Sequence, residues 1–182
     1  GMLTARHVRM LDSLWRAFLA GRYGSTPLLE TAWNAGAIPG DALNRIVNGS
    51  FESAPPSTGW VMEVASPAAG SVARDSISGG GGRYSARVRA TSSDGTDWHL
   101  QFKQIGLSIT NDVTYRVTFS ARSDSSRPVT VSLMRDASPW TWYGGTTVQL
   151  TASWQTFTFL VRSAATVTFG IRLSFAVGAQ AG

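Results

Sequence analysis

Apolar and polar residues alternate along most of the chain from residue 46 onward. Loops rich in Gly, Ser, Asp and Pro separate the alternating runs, and no helical pattern lies between them. A period of two with turn residues between the runs predicts about eight or nine antiparallel strands in an all-β sandwich, each with one face in the core. The clearest runs are 113–120, 129–133 and 167–175, and shorter ones fall at 60–65, 84–91, 147–150 and 154–161.

The first 34 residues have a helical period instead. Thr4 can cap a segment in which apolar residues recur every three or four positions, and Gly21 suits its end. Thr26 followed by Pro27 predicts the start of a second, shorter helix. We therefore expect residues 1–40 to form a helical hairpin and linker, and residues 41–182 to form the β-sandwich.

The segment DGTDWHLQFKQ (94–104) shows which polar side chains face outward. If Leu100 and Phe102 point into the core, then His99 and Gln101 point outward, as does Lys103, which we expect to be merely solvated. Trp98 belongs to the core by alternation, yet it lies close to the end of a loop.

The same alternation selects two arginines on other strands. Arg116 is expected to lie outward on a strand next to His99 and Gln101, and Arg172 outward on the strand that holds Ile171 and Leu173. Planar side chains of these types are donors and acceptors suited to sugar hydroxyls, although a solvated sheet face would use the same residues.

Three aromatic residues crowd the loop 135–145, which begins at Arg135 and is bounded by proline and glycines. We expect Trp140 to be buried as a plug at the rim and at least one of Trp142 and Tyr143 to be exposed. An exposed aromatic ring offers a flat apolar surface for the C–H face of a pyranose.

Composition removes several function classes. The net charge of +5 comes almost entirely from scattered arginines, which does not indicate nucleic-acid binding, and no apolar run has the roughly 20 residues that span a membrane. The absence of cysteine excludes disulfides and zinc–thiolate sites.

The acidic residues lie mostly in turns; Glu63 with Asp136 is a conceivable catalytic pair, but nothing in their spacing supports it. We therefore expect no catalysis by this chain.

The order of short motifs resembles the carbohydrate-binding modules of families 4, 9 and 22. That resemblance implies a β-jelly roll, a sugar held on a concave face or cleft, and often a structural calcium ion. The matching segments are IVNGSFE (46–52), GW (59–60), YSARV (84–88), WHLQ (98–101), TYRVTFSAR (114–122) and WQTF (154–157). The carbohydrate-binding residues we expect are Trp98, His99, Gln101, Arg116, Arg135, Trp140, Trp142, Tyr143 and Arg172.

The chain departs from this family pattern in two ways. Such modules usually finish with one more strand beside the first, so the predicted strand 46–52 has an unpaired edge that further residues, the N-terminal helices or a second chain in a dimer would cover. The usual calcium set also lacks its aspartate, which leaves Glu52 and the backbone near Ser50 as a partial site. The alternative for Glu52 is a hydrogen-bonded residue at a strand end.

The segments LWRAFL (14–19), RYGS (22–25) and LETAW (29–33) resemble a helical pair in barrel glycoside hydrolases. Together the two resemblances imply a non-catalytic module that targets a parent hydrolase to a poly- or oligosaccharide. They also imply a bacterial protein that is secreted or periplasmic, with no cofactor beyond the calcium. Two alternatives remain open: a sandwich that braces the hydrolase without a sugar site, and an independent glycoside hydrolase.

Overall fold

The computed structural model describes residues 4–24, 44–55, 59–76 and 82–182. The chain separates into two compact units, Gly1–Ala37 and Ile38–Gly182, and each is described by itself. The second helix predicted from Thr26 and the linker at 35–40 lie outside the described residues.

The first unit contains helix α1 (Ala5–Tyr23). Thr4 precedes it with an extended backbone, and its hydroxyl accepts from the N–H of His7; Gly24 ends the helix with φ 72°. No helix within the described residues is long and apolar enough to span a membrane. Several large apolar side chains of α1 are exposed: Met10, Leu11, Leu14, Trp15 and Phe18.

The second unit is built from antiparallel strands. The strands are β1 (Trp60–Val64), β2 (Ala69–Asp75), β3 (Ser85–Ser92), β4 (Leu100–Ile109), β5 (Thr114–Ala121), β6 (Arg127–Arg135), β7 (Trp142–Leu150), β8 (Gln155–Arg162) and β9 (Val167–Ala176). Five of them form one sheet in the order β1–β4–β9–β6–β7, while β2 pairs with β3 and β5 pairs with β8. The predicted all-β jelly-roll sandwich with helix at the N-terminus is confirmed.

The core lies against one face of the five-stranded sheet. Val131 and Ile171 are fully buried there, and Tyr115 of β5 and Val161 of β8 join the same cluster. A smaller cluster places Ala90 of β3 against Leu100 of β4. Both two-stranded sheets therefore cover the same side of the five-stranded sheet, and its opposite side is free to carry polar residues.

The predicted strand 46–52 is not strand. Residues 47–50 form a turn, with Asn48 at φ 52°, and Phe51 follows at φ 55°. Trp98 and His99, expected to follow the alternation of β4, lie instead in a single 3-10 turn at residues 97–99. The prediction of an unpaired strand edge along residues 46–52 is therefore wrong. The Asn48 side chain closes the turn because its amide donates to the carbonyl of Ser53 and its oxygen accepts from the N–H of Ser53.

Replacing Asn48 with alanine should lower the free energy of unfolding by about 1–2 kcal/mol, since it removes two hydrogen bonds and leaves a β-carbon residue at positive φ. Urea unfolding would measure the loss. Asn48→Gly is the control: it removes the same bonds without the backbone strain, so it should cost less than Asn48→Ala. Wild-type stability in the alanine variant would contradict this role.

Candidate functional site

The side of the five-stranded sheet opposite the core carries buried polar residues, and we call it the polar face. Strand register aligns Lys103, Ser174 and Ser132 directly across β4, β9 and β6. Gln101 lies two residues before Lys103, and Arg172 lies two residues before Ser174. All five are at least nine-tenths buried. The polar face is thus defined by Gln101, Lys103, Ser132, Arg172 and Ser174, with Glu63 opposite Gln101 on the edge strand β1.

Two buried cations on this face hold two carboxylates. Lys103 Nζ contacts Glu63 Oε2 and also donates to Asp136 Oδ1 at 2.7 Å. Arg172 Nη1 donates to the same Asp136 oxygen at 2.9 Å. The Arg172 Nε is also buried and has no hydrogen-bond partner among the described residues. The cations fix the positions of Glu63 and Asp136 although these residues come from different parts of the chain.

Hydrogen bonds also fix the position of the Gln101 side chain. Its Nε2 donates to the carbonyl of Trp98 at 2.9 Å, with Glu63 Oε1 at 3.4 Å, and its Oε1 accepts from Ser174 Oγ at 2.7 Å. With its amide donor and acceptor both engaged, the side chain is positioned by three elements. A preorganised polar floor of this kind loses little conformational entropy when a ligand binds.

Exposed tryptophans lie at one end of the polar face. Trp142 pairs with Met134, which in turn pairs with Arg172, and the Trp142 ring lies over Gly145. The Trp140 ring lies against Arg172, whose guanidinium carbon is 5.6 Å from the ring centroid. Trp140 and Trp142 are 54% and 52% exposed, so the prediction that Trp140 is a buried plug was wrong.

Tyr143 is separated from these tryptophans by a bulge. The register of β6 and β7 shifts between Leu133 and Met134, which leaves Tyr143 as the extra residue, and its side chain packs against the core. Of the pair Trp142 and Tyr143, the structure therefore exposes the tryptophan.

Trp98 lies where β4 begins, at the opposite end of the polar face, and is 55% exposed. Its ring meets that of His99 edge-on at 4.2 Å. His99 points to Asp94, with Nδ1 2.9 Å from Oδ2, so it does not stand free on the strand as alternation suggested. The backbone N–H of Thr96 and the nearby His99 lower the pKa of Asp94, while desolvation acts in the opposite sense.

Arg116 and Arg135 are not brought to the polar face. Arg116 lies on β5, opposite Leu160 of β8, in the other layer, so the expectation that its strand neighbours Gln101 was wrong. Arg135 pairs with Ile171, a core residue, at the end of β6. Trp98, Gln101, Trp140, Trp142 and Arg172 remain as the predicted residues that the polar face assembles, with His99 beside Trp98.

Sequence reasoning missed the centre of this arrangement. Lys103, expected to be solvated, is buried and links Glu63 with Asp136, which lie 40 and 33 residues from it in the chain. The available signal was the alternation that put Lys103 on the same side as Gln101. Its partners could not be identified without knowing which strands are neighbours.

Two clefts lie elsewhere in the second unit. One of about 530 Å³ is lined by Ser108, Arg116 and Thr158, and another of about 430 Å³ is lined largely by aromatic and aliphatic residues such as Phe102 and Phe119. Neither includes the ion-paired network or the exposed tryptophans. The polar face therefore remains the candidate site, because it alone combines exposed indoles with fixed donors and acceptors among the described residues.

Of the two predicted calcium ligands, Glu52 is hydrogen-bonded to other parts of the chain. Glu52 Oε1 accepts from the N–H of Arg83 at 3.0 Å, and the Glu52 carbonyl accepts from the guanidinium of Arg74. The Ser50 carbonyl lies close to Gly82, as does Glu52 Oε1. Calcium takes six to eight oxygen ligands, and no cluster of three acidic or histidine residues occurs in the described parts. The described residues supply only part of such a ligand set, and calcium at Ser50 and Glu52 stays a prediction.

Several solved structures have folds similar to this sandwich. One structure, described as "CBM4 structure and function", is 28% identical, with a TM-score of 0.62 over 73% of this chain and 88% of that one. "BiXyn10A CBM1 APO" shares the fold at 9% identity, with a TM-score of 0.52 over 73% of this chain and 86% of that one. The enzymatically active domain of tailspike protein 4 from bacteriophage CBA120 is 13% identical, with a TM-score of 0.56 over 77% of this chain and 20% of that one.

No curated protein sequence matches the chain significantly. Residues 43–181, which cover the whole β-sandwich, match the family model CBM_4_9, described as "Carbohydrate binding domain". This match spans more than half of the 182 residues. The chain belongs to this family of carbohydrate-binding domains.

Proposed function

We propose that the polar face binds an extended, β-linked poly- or oligosaccharide, and that the domain thereby targets a parent glycoside hydrolase to it. The observation that carries the proposal is the placing of exposed indoles at both ends of a floor of fixed polar groups. Trp98 lies at one end, Trp140 and Trp142 at the other, and Gln101, Lys103 and Arg172 anchor the floor between them.

The dimensions of the face favour a chain of sugars over a single one. Ala176 is level with Gln101 near one end and Arg172 is level with Trp142 at the other, four residues apart on β9. At about 3.4 Å per residue this separation is roughly 14 Å, longer than one pyranose ring. A ligand that contacts both ends must therefore contain several sugars.

Two kinds of contact would hold such a chain. Indole rings bury the apolar C–H faces of sugars, while Glu63 and Asp136 accept hydrogen bonds from hydroxyls. Each hydrogen bond exchanges with water and contributes only about 1–3 kcal/mol net, with the larger values for charged acceptors, so the rigid floor matters more than any single group. The ion pairs to Lys103 and Arg172 supply that rigidity.

The parent enzyme is inferred from the first unit. Its segment resembles a helical pair of barrel glycoside hydrolases, and α1 exposes the apolar residues Leu11, Trp15 and Phe18. Secretion or export to the periplasm follows from a role on polysaccharides outside the cell. A dimer through an edge strand stays a prediction.

Trp142→Ala should weaken glycan binding by about tenfold or more, because exposed aromatic residues are often among the few side chains that supply most of the binding energy. Affinity electrophoresis through gels containing a panel of polysaccharides would measure it, with isothermal titration on soluble oligosaccharides for those that retard the protein. Trp15→Ala is the matched control, since Trp15 is also 52% exposed but lies on α1. Equal retardation of Trp142→Ala and wild type on every bound glycan would remove Trp142 from the site.

The exposed apolar side of α1 favours one alternative, a sandwich that braces a larger enzyme without binding sugar. Folded wild-type protein that binds no glycan in the panel would support bracing. An independent hydrolase receives less support, because Glu63 and Asp136 are both ion-paired to Lys103, which suits hydrogen-bond acceptors better than a proton donor.

A further inference from the structure

The charges on the polar face are layered. The Lys103 and Arg172 side chains are 7% and 6% exposed, whereas those of Glu63 and Asp136 are 44% and 22% exposed. The cations therefore form the floor, and a ligand that approaches the face meets carboxylates first. The exposed charge on this face is thus negative, whereas the whole chain carries a net charge of +5.

Apart from the buried Nε of Arg172, which has no partner among the described residues, the cations are paired with protein groups. Lys103 contacts both carboxylates, and Arg172 donates to Asp136 and to the sulfur of Met134. An anionic group on a ligand would have to displace Glu63 or Asp136 to reach either cation. A sugar hydroxyl, in contrast, can donate to the exposed carboxylate oxygens without disturbing those pairs, and hydrogen bonds to a charged acceptor are stronger than neutral ones.

We infer that Glu63 and Asp136 restrict this face to uncharged, hydroxyl-rich glycan chains and exclude chains that carry uronate or sulfate groups. The inference rests on the proposed sugar site and names its substrate class. Like charges placed together at an interface oppose binding, and such repulsion is a common source of specificity. Here the exposed carboxylates lie nearer to a ligand than the cations beneath them, which compensate only part of their charge. Lys103 acts as a positioning residue, since it holds both carboxylates at the surface of the face.

The positive net charge of the chain makes the choice of conditions important. A polyanion can be attracted to the scattered arginines without entering the site, and such attraction between exposed charges is screened over about 8 Å at 0.15 M salt. Binding should therefore be compared at that ionic strength, where contacts within the site persist and diffuse attraction is reduced.

The test compares neutral glycans with carboxymethylated forms of the same backbones. Affinity electrophoresis at 0.15 M salt would use hydroxyethylcellulose, barley β-glucan and the β-1,3-glucan pachyman, each beside its carboxymethylated counterpart. We expect wild type to bind at least one neutral chain and to bind its charged form about tenfold more weakly. Glu63→Gln should reduce that difference about threefold or more, because it removes the exposed charge and keeps an acceptor.

Asp112→Asn is the matched control. Asp112 is an exposed carboxylate in the turn before β5, so the substitution changes the net charge equally but leaves the polar face intact. Equal binding of a neutral chain and its charged form, or an equal effect of Glu63→Gln and Asp112→Asn, would overturn the inference and leave the proposed function standing. Folded wild-type protein that binds none of the six glycans would contradict the proposed function itself, and the inference with it.

Discussion

Lys103→Met is expected to lower the free energy of unfolding by about 3 kcal/mol, because it leaves two carboxylates close together without the ammonium that joins them. Breaking a buried ion pair costs about 3–5 kcal/mol, and the lower value applies here because Glu63 is nearly half exposed, so that water can solvate its charge. Methionine preserves the length and apolar stem of lysine, so the loss reports the charge. The melting temperature should fall by roughly 6–12 °C.

Arg162→Met is the matched control for that substitution. Arg162 pairs with Asp112 at 3.4 Å, and both side chains are exposed, so the variant should lose less than about 1 kcal/mol. Urea unfolding of both variants, followed by circular dichroism, would measure the difference. Adding Glu63→Gln to Lys103→Met should recover part of the loss, since Glu63, unlike Asp136, has no second cation partner among the described residues. A Lys103→Met variant as stable as Arg162→Met would contradict the buried network.

Alternation along the chain predicted the sandwich well, because burial on one face of a sheet imposes a period of two on each strand. It also assigned Gln101 and Arg172 to the outward side correctly. Alternation carries no information about which strands are neighbours. Arg116 was consequently placed beside Gln101 although β4 lies between β1 and β9, and Lys103 could not be matched with Glu63 and Asp136.

Local side-chain hydrogen bonds explain the remaining differences. Asn48 closes a turn onto Ser53, and Asp94 accepts from the N–H of Thr96 ahead of the 3-10 turn that carries Trp98. In both places short polar side chains replace the strand ladder with a turn. The exposure of Trp98 follows from that turn, because the residue no longer obeys the alternation of β4.

Gly145→Ala should both weaken glycan binding and lower stability. A β-carbon at Gly145 would lie 2.3 Å from the carbonyl oxygen of Val131 and 2.7 Å from the Trp142 ring. The clash with the backbone of β6 should lower the free energy of unfolding by about 1–3 kcal/mol. Alanine also reduces the conformational entropy of the unfolded chain, which offsets only about 0.4–1 kcal/mol of that loss. Trp142 must also leave its place over Gly145, so the indole no longer lies level with Arg172 at the end of the polar face.

Gly144→Ala separates the two effects. A β-carbon there would lie 2.8 Å from Val161 in the core, and its three nearest atoms all belong to Val161, so we expect a loss of stability with glycan affinity close to wild type. Urea unfolding and affinity electrophoresis below the unfolding temperature of all three proteins would give both quantities. If Gly145→Ala retained wild-type affinity despite its lower stability, the position of the Trp142 ring over Gly145 would be irrelevant to binding. Weaker binding by Gly145→Ala alone would establish that β7 positions this tryptophan through the absence of a side chain beneath it.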